Sequence, residues 1–361
     1  MPKRVSARIT RIIKPYIQAC MRVRAFYFIN FRTMRNIAAL LLLMSAFLYS
    51  CGDSSLTRTL PNVTGTTGEV LVVMDKSMWV GSPGQSVRDY VSPILLGLPQ
   101  EEPAFTILPV NPEGFRDIYI AHRNILQTET DPGKTEAEVT YTRNKWAETQ
   151  LVVNVTAPDT ASLAECLRKN GEEIRRSFNN AERERLTDWL TKSAGKERSV
   201  LTAGGTKWEL VKPSGWEPDF NREGIMMLSA ETPSSTQSVM VSVTDRTITR
   251  LGCFELADLT QKRMSDEVKG PDGGSFMVIE QKLPVSCRSF RQNGTDYIEM
   301  RGLWTLEGGF MGGPFISYAF IDTVTSRAVV VTGFVYAPRD DKRELLRQVE
   351  TLMYTVKKRT E

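Results

Sequence analysis

The sequence predicts an α+β protein of two layered α/β modules whose sheets are mostly antiparallel. Short β-strand patterns dominate both halves of the chain, and each half ends on a long amphipathic helix pattern. The stretch 194–205, which holds three Gly and a charged run, predicts a linker between the halves. Strands followed by a helix in each half indicate sheet and helix layers around a core.

The first module is predicted over residues 68–193. Its elements before the last helix are a buried strand, a helix, a second strand, a mixed element and two further strands, at 68–75, 83–96, 104–110, 115–128, 136–142 and 150–156. Pro93 should kink or end the first helix, because proline lacks the amide hydrogen and clashes with the preceding turn. We expect the mixed element to be helical before His122 and extended after it.

A long helix closes this module. Asp159 is a favourable N-cap residue. Apolar side chains follow it at helical spacing, at Leu163, Leu167, Ile174 and Phe178. The adjacent pair Asn179 and Asn180 is expected to interrupt the helix. The order strand, helix, several strands, helix is that of a ferredoxin-like layered unit.

The second module is predicted over 206–361. It contains a strand from Lys207, two strands, a helix, a four-stranded meander and a C-terminal helix, with the two strands at 224–230 and 238–244 and the first helix at 254–268. Asn293-Gly294 predicts the first hairpin of the meander, because this dipeptide adopts the left-handed turn that hairpins need. The second pair of strands is placed at 314–321 and 328–336.

Residues 34–50 have the layout of a lipoprotein signal peptide, with Arg35 before an apolar run. A run this short does not span a bilayer, which takes about 20 apolar residues. Leu48 and Ser50 resemble the lipobox that precedes a lipidated cysteine, so we expect cleavage before Cys51 and acylation of Cys51. A buried core helix and an ordinary signal-peptidase site are the alternatives. Two or more acyl chains make a stable membrane anchor.

The segments on either side of this signal are simple in composition. Residues 51–67 predict a tether, and residues 1–33 contain eight Lys or Arg and no acidic residue. We expect 1–33 to be an extension upstream of a start at Met34; a basic arm for nucleic acid is the alternative.

The predicted mature chain is mildly acidic. Residues 1–50 hold nine of the 46 basic side chains and no acidic one, which leaves 37 basic and 42 acidic side chains, a net charge of −5. Nucleic-acid binding needs a basic face and loses its support. Cys253 and Cys287 lie in the same half and are free to pair, whereas Cys166 falls on the predicted helix and is expected to be buried.

Several segments together resemble an uncharacterised family of Bacteroidota lipoproteins known only as a domain of unknown function. They are GEVLVVMDKSMW at 68–79, HRNIL at 122–126, KWAETQ at 145–150, FNNAERERL at 178–186, and GGPFISYAFID and GFVYAPRDDKRELLRQVE within 312–350. The resemblance implies an envelope address and supplies no activity and no catalytic residues.

The second half also resembles the Mog1/PsbP-like fold. The likeness rests on a Trp-containing strand that ends in PSGW, followed by strands, a helix, a meander and a C-terminal helix. The resemblance implies an α/β/α sandwich of a kind that is mostly non-catalytic, and a fold alone does not establish function.

Catalytic signatures are absent from the sequence. It contains no Gly-x-Ser-x-Gly, P-loop, GxGxxG, CxxC or HExxH motif, so we expect no catalytic residue, no metal and no cofactor. The most suggestive group is His122, Arg123 and Asn124, in which the guanidinium could hold an anion or carboxylate. The alternative, which we favour, is that this group satisfies its own polar atoms within the fold.

Four further residues are candidates for ligand contact. Trp146 and Gln150 lead into a strand, where an aromatic ring can line a groove or cover a core. Phe310 and Met311 lie in the glycine-rich stretch 308–314, which predicts a mobile hairpin loop with an apolar tip.

These observations favour a non-catalytic, membrane-tethered envelope lipoprotein that binds or scaffolds an envelope protein or glycan. The expected address is the outer membrane, with the protein facing the periplasm. The alternative function is a hydrolase of envelope polymers with a site in a cleft between the two modules.

Overall fold

The computed structural model describes residues 59–271, 273–292 and 294–359, and from Leu60 onward the chain forms one compact unit. The predicted signal peptide, Cys51 and the upstream extension lie outside the described residues. Within the described residues, three sheets of five, eight and three strands organise the unit, and the eight include one strand that pairs at the side of the main strand order.

The first sheet has the strand order β2-β1-β3-β5-β4. Its strands are β1 Glu69–Val73, β2 Thr106–Val110, β3 Asn124–Thr130, β4 Glu138–Arg143 and β5 Leu151–Ala157. All pairings in this sheet are parallel except that of β4 with β5. The ferredoxin-like, antiparallel arrangement predicted here is therefore wrong. Strands of a parallel sheet are buried on both faces, and β1 accordingly has four consecutive buried residues.

The helices beside this sheet lie before β2 and after β5. They are α1 Lys76–Val80, α2 Ser82–Ser86 with a π-helical turn Val87–Val91, and α3 Thr160–Ala194. The helix predicted over 83–96 ends before Ser92, because the residue preceding a proline disfavours helical geometry. Two short 3-10 turns, Pro112–Gly114 and Asp117–Tyr119, precede β3. The second turn and β3 correspond to the helical and extended parts of the mixed element predicted at 115–128.

Helix α3 runs for 35 residues without a break, so the interruption predicted at Asn179 and Asn180 is wrong. The Asp159 side chain accepts a hydrogen bond from the backbone amide of Ser162, which confirms the predicted N-cap. Leu163, Leu167, Ile174 and Phe178 are fully buried against one face of the first sheet. Packing of this apolar stripe outweighs the weak helix propensity of two asparagines.

Two segments predicted to be irregular are ordered parts of the fold. Within the predicted linker 194–205, strand β6 Arg198–Ala203 pairs antiparallel with β7 Thr206–Val211. Within the predicted tether 51–67, the described residues near Thr64 form bridges to the first sheet's loops. Apolar residues such as Leu201 are fully buried in the linker segment, which is why it folds as a strand.

The largest sheet is antiparallel throughout, in the order β11-β13-β14-β15-β10-β9-β8, with β12 beside β13. Its strands are β8 Glu217–Arg222, β9 Ile225–Glu231, β10 Thr236–Thr247, β11 Phe276–Ile279, β12 Ser286–Gln292, β13 Thr295–Glu307, β14 Gly312–Asp322 and β15 Arg327–Tyr336. Gln292 lies opposite Thr295, which confirms the hairpin predicted at residues 293 and 294. Strands β8 and β11 were not predicted from the sequence.

Helices cover both faces of the largest sheet. They are α4 Cys253–Glu267 on one face and α5 Arg343–Met353 on the other. The C-terminal helix ends at Met353, and beyond it Lys357–Lys358 form a strand, β16, that pairs with β7. The sheet and its two helix layers therefore enclose two cores.

A disulfide joins Cys253, the first residue of α4, to Cys287 in β12. Cys166 in α3 is a buried free thiol, as predicted. The sequence left the pairing open, and the tertiary structure brings the two cysteines together because β12 lies at the edge of the sheet that α4 covers.

Candidate functional site

The predicted group His122, Arg123 and Asn124 lies at the amino-terminal end of β3, a central strand of the first sheet. The His122 ring has Nδ1 at 3.1 Å from the carbonyl oxygen of Asn124 and Nε2 at 3.4 Å from Oε2 of Glu69. Burial lowers the pKa of His122. The carboxylate of Glu69 therefore lies beside the His122 ring, although Glu69 is 53 residues away in the sequence.

Glu182 of α3 holds this group together. The Glu182 side chain is fully buried and accepts hydrogen bonds from Arg123 Nη1 at 3.0 Å and from Asn124 Nδ2 at 2.6 Å. Arg185, one turn further along α3, donates to Asn124 Oδ1 at 2.7 Å and lies 3.0 Å from Glu182. The hydrogen bonds and ion pairs of these side chains join α3 to the first sheet. A role for them in ligand binding stays a prediction.

Gln150 and Trp146 support the loops beside this group. Gln150 is buried, and its Nε2 donates to the carbonyl oxygens of Ile120 at 2.7 Å and of His122 at 2.8 Å. Trp146 donates its backbone amide to Gln150 Oε1 at 3.0 Å, and its ring meets the edge of Phe115 at 5.7 Å between centroids. The Trp146 ring thus covers the second face of the first sheet.

Phe310 and Met311 lie elsewhere, in the turn between β13 and β14. Phe310 is fully exposed, whereas Met311 packs partly buried against the core under α4. The apolar tip that the sequence predicts is therefore one side chain.

A crevice of about 290 Å³ opens at the carboxyl ends of β1, β3 and β5. Its polar lining consists of carboxylate, amide and hydroxyl groups from Asp75, Gln127, Thr128, Glu129, Thr130, Asn154 and Thr156. Its apolar lining includes Val73, Met78 and Pro112. None of the residues that line it carries a positive charge.

The strand register creates this lining. Gln127 lies between Val73 on one side and Asn154 on the other, so their side chains share one sheet face. Gln127 Oε1 is buried and accepts no hydrogen bond from the part of the chain that the structure describes. Asn154 Nδ2 is 3.4 Å from Thr140 Oγ1. Two amide side chains thus present donors and acceptors to the crevice.

The topology makes this edge the expected ligand position. The chain passes from β1 outward to β2, and then from β3 outward in the opposite direction to β4 and β5. In open α/β sheets, ligands bind outside the carboxyl ends of the strands at the point where the strand order reverses. That point lies between β1 and β3, where the crevice is.

Sequence reasoning missed the crevice residues. The relevant signal was the run of apolar residues in VLVV of β1 and in LVVNV of β5, which is typical of parallel strands buried on both faces. Gln127 and Asn154 are each the fourth residue of a seven-residue strand, and the local sequence does not reveal that these two strands are neighbours.

A second buried charged cluster joins α3 and α5 to the largest sheet. Glu299 is 2% exposed and accepts two hydrogen bonds from Arg288, each of 3.0 Å. Arg301 donates to Glu299 at 2.9 Å and to Glu350 at 2.6 Å, and Arg183 of α3 lies 3.2 Å from Glu350. Burial opposes ionisation of Glu299, but Arg301 and Arg288 outweigh it and hold its pKa at about 2.

Across the described ranges, no three His, Cys, Asp or Glu side chains are grouped as a metal ion would need. None of the described helices is both long enough and apolar enough to span a membrane.

Comparison with known proteins gives two family matches. Residues 63–191 match the model of a domain of unknown function (DUF8532), and residues 212–355 match that of another domain of unknown function (DUF4837). Residues 192–211, which include β6 and β7, lie between the two matches. No curated protein matches the chain.

Solved structures give only weak likenesses. The Ran-binding protein Mog1p of Saccharomyces cerevisiae is 12% identical, with a TM-score of 0.29 over 45% of this chain and 95% of Mog1p. A protein from Bacteroides thetaiotaomicron is 15% identical, with a TM-score of 0.19 over 43% of this chain. The chain spans 46% of that second protein.

Proposed function

We propose that this protein is a lipid-anchored lipoprotein of the bacterial cell envelope that binds a polyhydroxylated ligand, such as a glycan, without catalysis. The signal layout of residues 34–50 and the lipobox before Cys51 support the anchor. The disulfide between Cys253 and Cys287 supports an oxidising compartment, because cytoplasmic thiols are kept reduced.

The observation that carries the binding role is the crevice at the carboxyl edge of the first sheet. Its amide and hydroxyl groups can both donate and accept hydrogen bonds, as sugar hydroxyls do. Gln127 Oε1 accepts no hydrogen bond from the described residues, and rotation of this side chain toward the crevice would let a ligand hydroxyl donate to it. Asp75 and Glu129 accept hydrogen bonds and disfavour anionic ligands such as phosphates.

Binding to an array of envelope glycans tests this role. The double variant Q127A/N154A should lose at least tenfold in affinity for the glycan that the wild-type protein retains, because both amides of the crevice are removed. The matched control is Asn180→Ala, an exposed asparagine of α3, which should bind as the wild type does. A double variant that binds like the control, or a wild-type protein that retains no glycan, would contradict the proposal.

The alternative of an envelope-polymer hydrolase has one specific observation in its favour. Asp75 and Glu129 line the same crevice, and paired carboxylates cleave glycosidic bonds. This crevice lies at the edge of the first sheet, whereas the sequence analysis places the hydrolase site in a cleft between the two modules. The variants D75N and E129Q separate the two functions, because in a hydrolase each should abolish release of reducing sugar while leaving binding intact.

The proposal also includes the location of the protein in the cell and its division into two modules. We place the protein in the outer membrane facing the periplasm, and a two-module layout is supported by the separate family matches at 63–191 and 212–355. We assign the second module a Mog1/PsbP-like fold, which a sheet with helices on both faces supports. Mass spectrometry of the Cys51 peptide tests the anchor, and removal by protease from intact cells would contradict a periplasmic orientation.

A further inference from the structure

The chain enters the fold along the amino-terminal edge of the first sheet. The Thr64 amide donates to the carbonyl oxygen of Ala121 at 2.9 Å, and its own carbonyl oxygen accepts from the Arg123 amide at 3.1 Å. The Glu148 amide donates to the carbonyl oxygen of Pro61 at 2.8 Å. These backbone hydrogen bonds attach the incoming segment to the loops that precede β3 and β5, so the amino-terminal edge is where this segment joins the sheet.

The distance from this edge to the proposed lipid is short. Leu60, where the compact unit begins, follows Cys51 by nine residues. A fully extended chain covers at most about 3.5 Å per residue, so the edge lies within roughly 30 Å of the lipidated thiol. The inference below rests on the proposed lipid anchor.

An exposed apolar pair stands at the same edge. The Thr64 hydroxyl donates to the carbonyl oxygen of Ile118 at 3.0 Å, which fixes the 3-10 turn Asp117–Tyr119 beside the incoming chain. Ile118 is 69% exposed and Tyr119 is 40% exposed. Arg116, whose side chain is 78% exposed, precedes them, and its Nε lies 4.0 Å from the exposed carboxylate of Asp117. An aliphatic side chain, a tyrosine and an arginine together form the composition that favours the boundary between lipid headgroups and acyl chains.

We propose that the loop 116–119 contacts the surface of the bilayer in which the protein is anchored. Ile118 enters the headgroup region, Tyr119 lies at the boundary with its hydroxyl in water, and Arg116 faces lipid phosphates. The carboxyl-edge crevice lies at the other end of the same strands. The parallel sheet therefore stands with one edge on the membrane and presents its ligand site away from the membrane.

Photo-crosslinking in cells tests this contact. A photoreactive amino acid replaces Ile118 in the full-length protein, and the matched control replaces Val324, which is 77% exposed in the turn between β14 and β15. After irradiation, mass spectrometry counts lipid adducts at each position. We expect at least fivefold more lipid adduct at position 118 than at position 324.

The outcomes separate this inference from the proposed function. Lipid on Cys51 with equal adducts at the two positions overturns the membrane contact and leaves the anchor intact. Adducts at position 118 with a protein instead of lipid also overturn it. An unmodified Cys51 overturns the anchor, and the membrane contact fails with it.

Discussion

The disulfide between Cys253 and Cys287 should contribute several kcal/mol to stability. It joins the first turn of α4 to β12, which in the described part of the chain pairs with one strand, β13, and is mostly exposed. The disulfide therefore adds a covalent restraint to the ladder with β13 and to the hydrogen bonds between Arg288 and Glu299. The double variant C253S/C287S removes the link and leaves the buried Cys166 unchanged.

The magnitude follows from the length of the closed loop. The two cysteines are 34 residues apart, and the loop-entropy relation gives about 4 kcal/mol for a loop of this length. With a urea dependence of about 3 kcal/mol per molar, the unfolding midpoint should fall by roughly 1 M.

Urea unfolding followed by circular dichroism measures this difference. The oxidised wild type is compared with the double variant, each with and without a reducing agent. Reduction should bring the wild type to the midpoint of the variant and should leave the variant unchanged, because the variant has no disulfide to lose. A variant whose free energy of unfolding lies within about 1 kcal/mol of the wild type would refute this role for the loop closure.

Three further predictions concern buried groups. A carboxyl whose pKa is lowered by folding, such as that of Glu299, stabilises the protein above pH 4.5 and loses this effect as the pH falls from 4.5 to about 2. In Glu299→Gln, the free energy of unfolding should therefore fall by about 3 kcal/mol less over this pH range than in the wild type. Urea unfolding at a series of pH values measures the difference. Glu182→Ala should cost about 3 to 5 kcal/mol in urea unfolding, against less than about 1 kcal/mol for the exposed Glu184→Ala, since only the first leaves buried arginines without their partner. Gly171→Ala should lower the melting temperature and cost about 1 to 3 kcal/mol, because the new Cβ would lie 2.4 Å from Cβ of Tyr90; a stabilised variant would contradict that close contact.

Local sequence signals predicted most of the elements. The Asp159 cap, the apolar stripe of α3 and the turn at 293–294 each depend on a few neighbouring residues, and each holds in the structure. The break at Asn179 and Asn180 failed because burial of Phe178 and Ile174 outweighs local propensity. The linker at 194–205 failed in the same way, since its apolar residues are buried against a sheet that the sequence around them does not reveal.

The residues of the candidate site were harder to predict from the sequence than the helices and strands. The sequence singles out His122, Arg123 and Asn124, but their acidic partners, Glu69 and Glu182, lie more than 50 residues away. The crevice residues Gln127 and Asn154 carry no motif at all. The two amides lie side by side because β3 pairs with β5, and only the tertiary structure shows that pairing.

By itself, the sequence determined where most of the strands and helices form and predicted an anchor at Cys51, because hydrophobic period, caps and signal layout are properties of adjacent residues. The direction of the strands in the first sheet, the pairing of Cys253 with Cys287 and the crevice at the carboxyl edge were decided only by the tertiary structure. The physical reason is that strand direction depends on which distant apolar faces are buried together. The local pattern of a strand allows both parallel and antiparallel pairing, and packing against a helix such as α3 selects one of them.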